Sequence, residues 1–179
     1  KMLELSDASS CAVIERNDVV PAFQVAAEAI DAIGFSNPQG FDFDFQLSPD
    51  AETVTLQTNL RSAVRALTLI LGNAHKFAAK ERPLKISLRL SVGEDKVEYS
   101  VEDNGIGVPS EESEHIFEEF VQLDEFYEGT GIGLTVARSI ARRLGGDIVL
   151  DTAYSPGARF VFSLPKSGFH SALFVANNQ

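Results

Sequence analysis

Asp103 stands two residues before Gly105 and four before Gly107, in the run Val101-Glu102-Asp103-Asn104-Gly105-Ile106-Gly107-Val108. A second glycine run, Gly129-Thr130-Gly131-Ile132-Gly133-Leu134, leads directly into Val136-Ala137-Arg138-Ser139-Ile140. Glycine lets backbone approach a ligand closely and take positive φ, and the first N–H groups of a helix are a natural seat for anions. Together these residues suggest a nucleotide held at both ends, its base near Asp103 and its phosphates near Gly129 to Gly133. Asp103 has a plainer reading too, because Asp-Asn-Gly is a common turn signal. The second run is harder to explain that way: a helix start needs one capping residue, not three alternate glycines. Thr130 can add a hydroxyl. A P-loop would need Gly-Lys-Ser/Thr, and a dinucleotide fold would need its glycines directly after a strand; neither pattern is present.

Two further features could do chemistry. Ala63, Ala66, Ile70, Asn73 and Phe77 recur at helical spacing, so Asn73 is a polar interruption in an apolar stripe. A buried amide without partners costs roughly 1–3 kcal/mol. Either protein backbone satisfies it, or a ligand or hydrated metal does. Lys76, one turn later, could reach a phosphate as a point charge or simply be solvated. Phe117 and Phe120 bracket two glutamates and anchor a loop; beside the glycine runs that loop would be a lid.

The elements that must position these residues follow from periodicity. Pro21, Phe23, Ala26, Ala27, Ile30 and Ile33 predict a helix ended by Gly34. Phe41, Phe43 and Phe45 alternate with polar residues as in a half-buried strand, with Val54 and Leu56 as a short partner strand. A helix is expected over about 59–77. Leu84 to Leu90 and Val97 to Val101 flank Gly93-Glu94-Asp95 and predict a β-hairpin whose second strand delivers Asp103. A short helical piece over 113–120 precedes a helix over about 131–144, stopped by Gly145-Gly146. Ile148 and Leu150, then Phe160, Phe162 and Leu164, form a closing hairpin around Ser155-Pro156-Gly157. The expected fold is α+β: a two-layer α/β sandwich, its mostly antiparallel mixed sheet covered on one face by about three helices.

Hydrophobic residues make up 44% of the 179, enough for a core. No apolar stretch approaches the roughly 20 residues needed to span a bilayer. The single Cys11 cannot form an intrachain disulfide, which fits a reducing compartment. The net charge of −11 is concentrated: 11 acids and no Lys or Arg lie between Val97 and Ala137, and the rest of the chain balances 15 acids with 15 bases. Nucleic acid is therefore not an expected partner. A triphosphate beside the acidic segment would need a divalent cation or bases from elsewhere.

In this order and spacing the motifs resemble the catalytic ATP-binding domain of bacterial sensor histidine kinases, in the GHKL superfamily with DNA gyrase, Hsp90 chaperones and MutL. Asn73-Ala74-His75-Lys76-Phe77 looks like the N box, and Asp103-Asn104-Gly105-Ile106-Gly107 like the first glycine box. Phe117-Glu118-Glu119-Phe120 looks like the F box and Gly129 to Leu134 like the second glycine box. The resemblance covers about residues 15–165 and implies the Bergerat fold. It also implies that Asn73 binds Mg²⁺, that Asp103, with Gly105 and Gly107, takes the adenine amino group, and that Lys76 with Gly129, Thr130, Gly131, Gly133 and Leu134 holds the phosphates of ATP. Asn73 and Lys76 are thus the expected catalytic residues, with Phe117 and Phe120 anchoring the lid. Residues 1–14 look like the end of a dimerisation helix hairpin and a linker, and 166–179 form a tail without an assigned role.

The implied reaction is donation of the γ-phosphoryl group to a histidine on the parent's dimerisation and phosphoacceptor domain, with a response regulator acting downstream. The parent is expected to be a homodimer with this domain in the cytoplasm; attachment to the inner membrane stays open. None of His75, His115 and His170 is followed by the acidic residue and proline of a phosphoacceptor motif. Leu69 stands where the family often has a second Asn, and the segment from Phe120 to Gly129 contains no base. Those departures leave two alternatives: a nucleotide-binding regulatory module without phosphotransfer, or an anti-sigma-type serine kinase.

Overall fold

The computed structural model describes residues 14–76, 79–117 and 130–167. The expected sites at Phe120 and Gly129, and residues 1–13 and 168–179, lie outside them. Among the described residues the regular elements run β1 (Asp18–Pro21), α1 (Ala22–Ile33), β2 (Asp42–Leu47), β3 (Thr55–Thr58), α2 (Leu60–Lys76), β4 (Lys85–Val92), β5 (Lys96–Asp103), α3 (Thr130–Arg143), β6 (Asp147–Leu150) and β7 (Arg159–Pro165).

Five strands form one sheet in the order β2-β4-β5-β7-β6. β2 lies parallel to β4 and the other pairs are antiparallel, as expected of a mixed, mostly antiparallel sheet. Side chains alternate across a strand, and burial follows that alternation. Ile86, Leu88 and Leu90 of β4, Val97, Tyr99 and Val101 of β5, and Phe160, Phe162 and Leu164 of β7 are all buried. They meet Val25, Ala26 and Ala29 of α1, Ala63, Ala66, Leu67, Ile70 and Leu71 of α2, and Ala137, Ala141 and Leu144 of α3 in one core. Alanines on the inward stripes of all three helices let them pack close to the sheet. The opposite face of the sheet is polar, with Arg89 and Arg159 both paired to Glu102 and Arg159 also to Asp151.

The structure corrects two local expectations. Val54 and Leu56 do not mark a partner for the 41–45 strand: β3 pairs antiparallel with β1 in a separate two-stranded sheet, Val20 opposite Leu56. β1 itself has only four residues and ends in a proline, so it carries too little alternation to be read from sequence. The helical piece expected over 113–120 is, where described, a single 3₁₀ turn at His115–Phe117, preceded by another at Ser110–Glu112. Ile14 N–H donates to Arg143 O, and Arg16 donates to Leu144 O, so the segment before β1 is laced to the end of α3.

Candidate nucleotide site

Asp103 is the last residue of β5 and continues the inward series Val97, Tyr99, Val101. Alternation alone therefore directs its carboxylate to the core face, where it is 3% exposed. Two backbone N–H groups address the same oxygen: Gly105 donates to Oδ1 at 2.8 Å and Ala158 at 3.3 Å. Oδ2 carries no hydrogen bond among the described residues. Burial pushes the carboxyl up from 3.8 to about 6, against the two N–H bonds that pull it down.

Close backbone approach makes this corner possible. Gly107 (φ +80) and Gly157 (φ +89) face each other, and a Cβ on Gly157 would lie 1.9 Å from Asp103 O. Only glycine fits there. The 156–157 turn, read from sequence merely as a hairpin end, is thus one wall of the Asp103 turn.

Asn73 sits in the last turn of α2, on the stripe with buried Ala63, Ala66 and Ile70, and is 6% exposed. Neither its Oδ1 nor its Nδ2 has a hydrogen-bond partner among the described residues. Of the two readings open at the sequence level, satisfaction by backbone is therefore not what the structure contains. Leu69, one turn earlier, packs on the core. α2 lies against β5 and α3, the strand that leads into the first glycine run and the helix that carries the second. α2 ends at Lys76, whose side chain lies outside the described residues.

α3 begins at Thr130, so Gly131, Gly133 and Leu134 lie in its first turns, with Leu134 buried. The first N–H groups of a helix have no intrahelical acceptor. Phe117 is buried edge-on against Phe160, with ring centroids 6.0 Å apart. The Arg138 guanidinium lies 4.1 Å from the centroid of the Phe117 ring. Arg138 also donates to both Glu114 oxygens at 2.8 and 3.3 Å and pairs with Asp147 at 3.3 Å. Those bonds hold the Glu114 carboxyl below its usual range. Thr135 Oγ1 donates to Phe117 O at 2.8 Å. Arg138 and Thr135 tie the residues that enter the 118–129 segment to the helix that leaves it. The sequence pattern did not single out either one.

Residues 58–168 match the model of the family described as histidine kinase-, DNA gyrase B- and HSP90-like ATPase, and the chain belongs to that family. Sensor histidine kinase AruS of Pseudomonas aeruginosa is 38% identical over 106 residues, covering 56% of this chain and 11% of AruS. Sensor protein RstB of Escherichia coli K12 is 36% identical over 135 residues, 68% of this chain and 30% of RstB. The chain thus spans less than a third of either relative. The ATP-binding domain of PrrB from Mycobacterium tuberculosis superposes with a TM-score of 0.64 at 25% identity, covering 84% of this chain and 98% of that one. The fold is the α/β Bergerat fold expected from the motifs. Among the described residues no helix is long and apolar enough to cross a membrane.

Proposed function

We propose that this chain is the ATP-binding catalytic domain of a sensor histidine kinase, holding Mg·ATP and offering its γ-phosphoryl group to a histidine on the parent's dimerisation domain. The observation that carries this reading is the buried Asn73 amide, both atoms without a hydrogen-bond partner among the described residues, on the helix that packs against β5, which leads into the first glycine run, and against α3, which carries the second. An orphaned amide oxygen is the kind of hard, neutral ligand Mg²⁺ accepts beside phosphate and water. The cation would neutralise phosphate charge during transfer. In this reading Asp103 Oδ2 would accept the adenine amino group, and the first N–H groups of α3 would bind the phosphates, with Lys76 assigned to the same phosphates by the family resemblance alone. Phosphoryl transfer asks of the protein chiefly such positioning and charge neutralisation.

The test is transfer of label from γ-labelled ATP to a separately supplied dimerisation hairpin of the parent. With Mg²⁺ the hairpin gains an acid-labile, base-stable phosphoryl group, while the isolated chain labels itself negligibly. Tight ATP binding without any transfer would instead identify a regulatory module, and an acid-stable product a serine kinase. The parent is read as a homodimer feeding a response regulator, with this domain on the cytoplasmic side.

A further inference from the structure

Arg82 lies between α2 and β4, next to the exposed Glu81 that takes one of its nitrogens at 3.2 Å. Its other two nitrogens grip the first glycine turn: Nε donates to Asn104 O at 2.6 Å and Nη2 to Gly105 O at 2.8 Å. The Asn104 carbonyl belongs to the same peptide unit as the Gly105 N–H, which donates to Asp103 Oδ1 at 2.8 Å. A cation therefore rests on the oxygen of the peptide whose hydrogen rests on the buried carboxylate. Asn104 completes the attachment. Its side chain accepts from Lys85 N–H at 2.8 Å and donates to Pro83 O at 2.9 Å, and its own N–H donates to Lys85 O at 3.2 Å.

We propose that Arg82 is a positioning residue for nucleotide recognition, which aims and polarises the Asn104–Gly105 peptide so that Asp103 presents its second oxygen to the base. The inference rests on the reading of Asp103 as the base acceptor. Hydrogen bonds in series strengthen one another, and a donor charge strengthens the first of them. The rigid guanidinium fork spans two successive carbonyls, which a lysine ammonium does not do with the same geometry. The guanidinium side chain remains 34% exposed, so truncating it leaves no unpaired charge in the core.

Titration calorimetry of the whole chain with ADP, ATP and adenosine tests this, using Arg82→Ala, Arg82→Lys and Asp103→Asn. Arg82→Ala is expected to weaken all three ligands by the same factor, about tenfold, because the affected contact is at the base. Arg82→Lys, keeping the charge and one bond, should fall between Ala and wild type. In an Asp103→Asn background Arg82→Ala should add no further loss. A merely structural staple would lower the melting temperature yet cost the same factor with or without the Asp103 carboxylate; that additive result overturns the proposal. So does wild-type ADP affinity in either Arg82 variant while Asp103→Asn binds weakly. If Asp103→Asn itself binds ADP as tightly as wild type, it is the base-acceptor reading that fails, and this inference with it.

Discussion

Asp103 is subject to opposite demands in the empty and the occupied protein. Burial raises its carboxyl from 3.8 to about 6, so between those values the folded chain binds a proton that the unfolded chain has released. Stability of the empty domain therefore falls as pH rises through about 4 to 6, by about 3 kcal/mol at one pKa unit per 1.36 kcal/mol. Nucleotide binding runs the other way, since only the carboxylate offers Oδ2 as an acceptor. ATP affinity is expected to fall on acidification below about 6, by up to tenfold per pH unit. Asp103→Asn separates the two. Its amide oxygen can still take both N–H bonds, but an NH₂ then faces the adenine amino group, donor against donor. Thermal melts at pH 8 should show this variant more stable than wild type, and calorimetry should show at least a tenfold loss for ATP. A variant both less stable and unchanged in binding would contradict the assignment. Asp103 was legible in the sequence because it ends an alternating strand before a glycine. Arg82 was not, because its bonds to the glycine turn go to main-chain carbonyls, which no side-chain pattern announces.

At the scale of elements, the first glycine turn depends on a contact between hairpin ends that are distant in sequence. Gly157 cannot accept a Cβ, which would sit 1.9 Å from Asp103 O, whereas a Cβ on Gly107 would meet Gly157 O at 3.0 Å. Positive φ costs a side-chain residue about 1 kcal/mol or more in either case. Gly157→Ala is therefore expected to cost about 3 kcal/mol or more in urea unfolding and Gly107→Ala about 1–2. Equal losses would mean that the turn relaxes freely. The contacts that fix Phe117 belong to the same scale. Arg138→Met keeps the stem but removes the contacts to Phe117, Glu114 and Asp147, and Asp147 retains Arg142 at 2.9 Å. Its cost is about 1–2 kcal/mol, mostly from the ring contact, because the Glu114 partner is exposed. Helices and long strands were readable from periodicity; the hairpin of β4 and β5 is where the sequence placed it. β1 and the true partner of β3 were not readable. Four-residue strands whose mates lie some 40 positions away have no local signature, and their pairing is decided by tertiary packing.

Across the whole molecule, charge decides what can be bound and under which conditions. Eleven acids and no Lys or Arg fall between Val97 and Ala137, the stretch holding both glycine runs and the entry to α3. Bringing a triphosphate to this region without a cation sets like charges against each other in a partly desolvated site, where screening by salt is weak. The dependence on Mg²⁺ should therefore scale with phosphate number. At fixed ionic strength, replacing Mg²⁺ with EDTA is expected to weaken ATP by more than tenfold, ADP by less, and adenosine not at all. If Asn73 holds the cation as proposed, Asn73→Ala removes that ligand. In that variant the three ligands should respond to EDTA far more alike, with adenosine affinity unchanged from wild type. Because the Asn73 side chain has no hydrogen-bond partner among the described residues, its truncation should leave the melting temperature equal or higher, so weakened ATP binding cannot be blamed on unfolding. Were wild-type ATP affinity the same in EDTA as in Mg²⁺, the acidic segment would have to be offset by bases of the chain itself, Lys76 first among them, and the Asn73 amide would need another ligand.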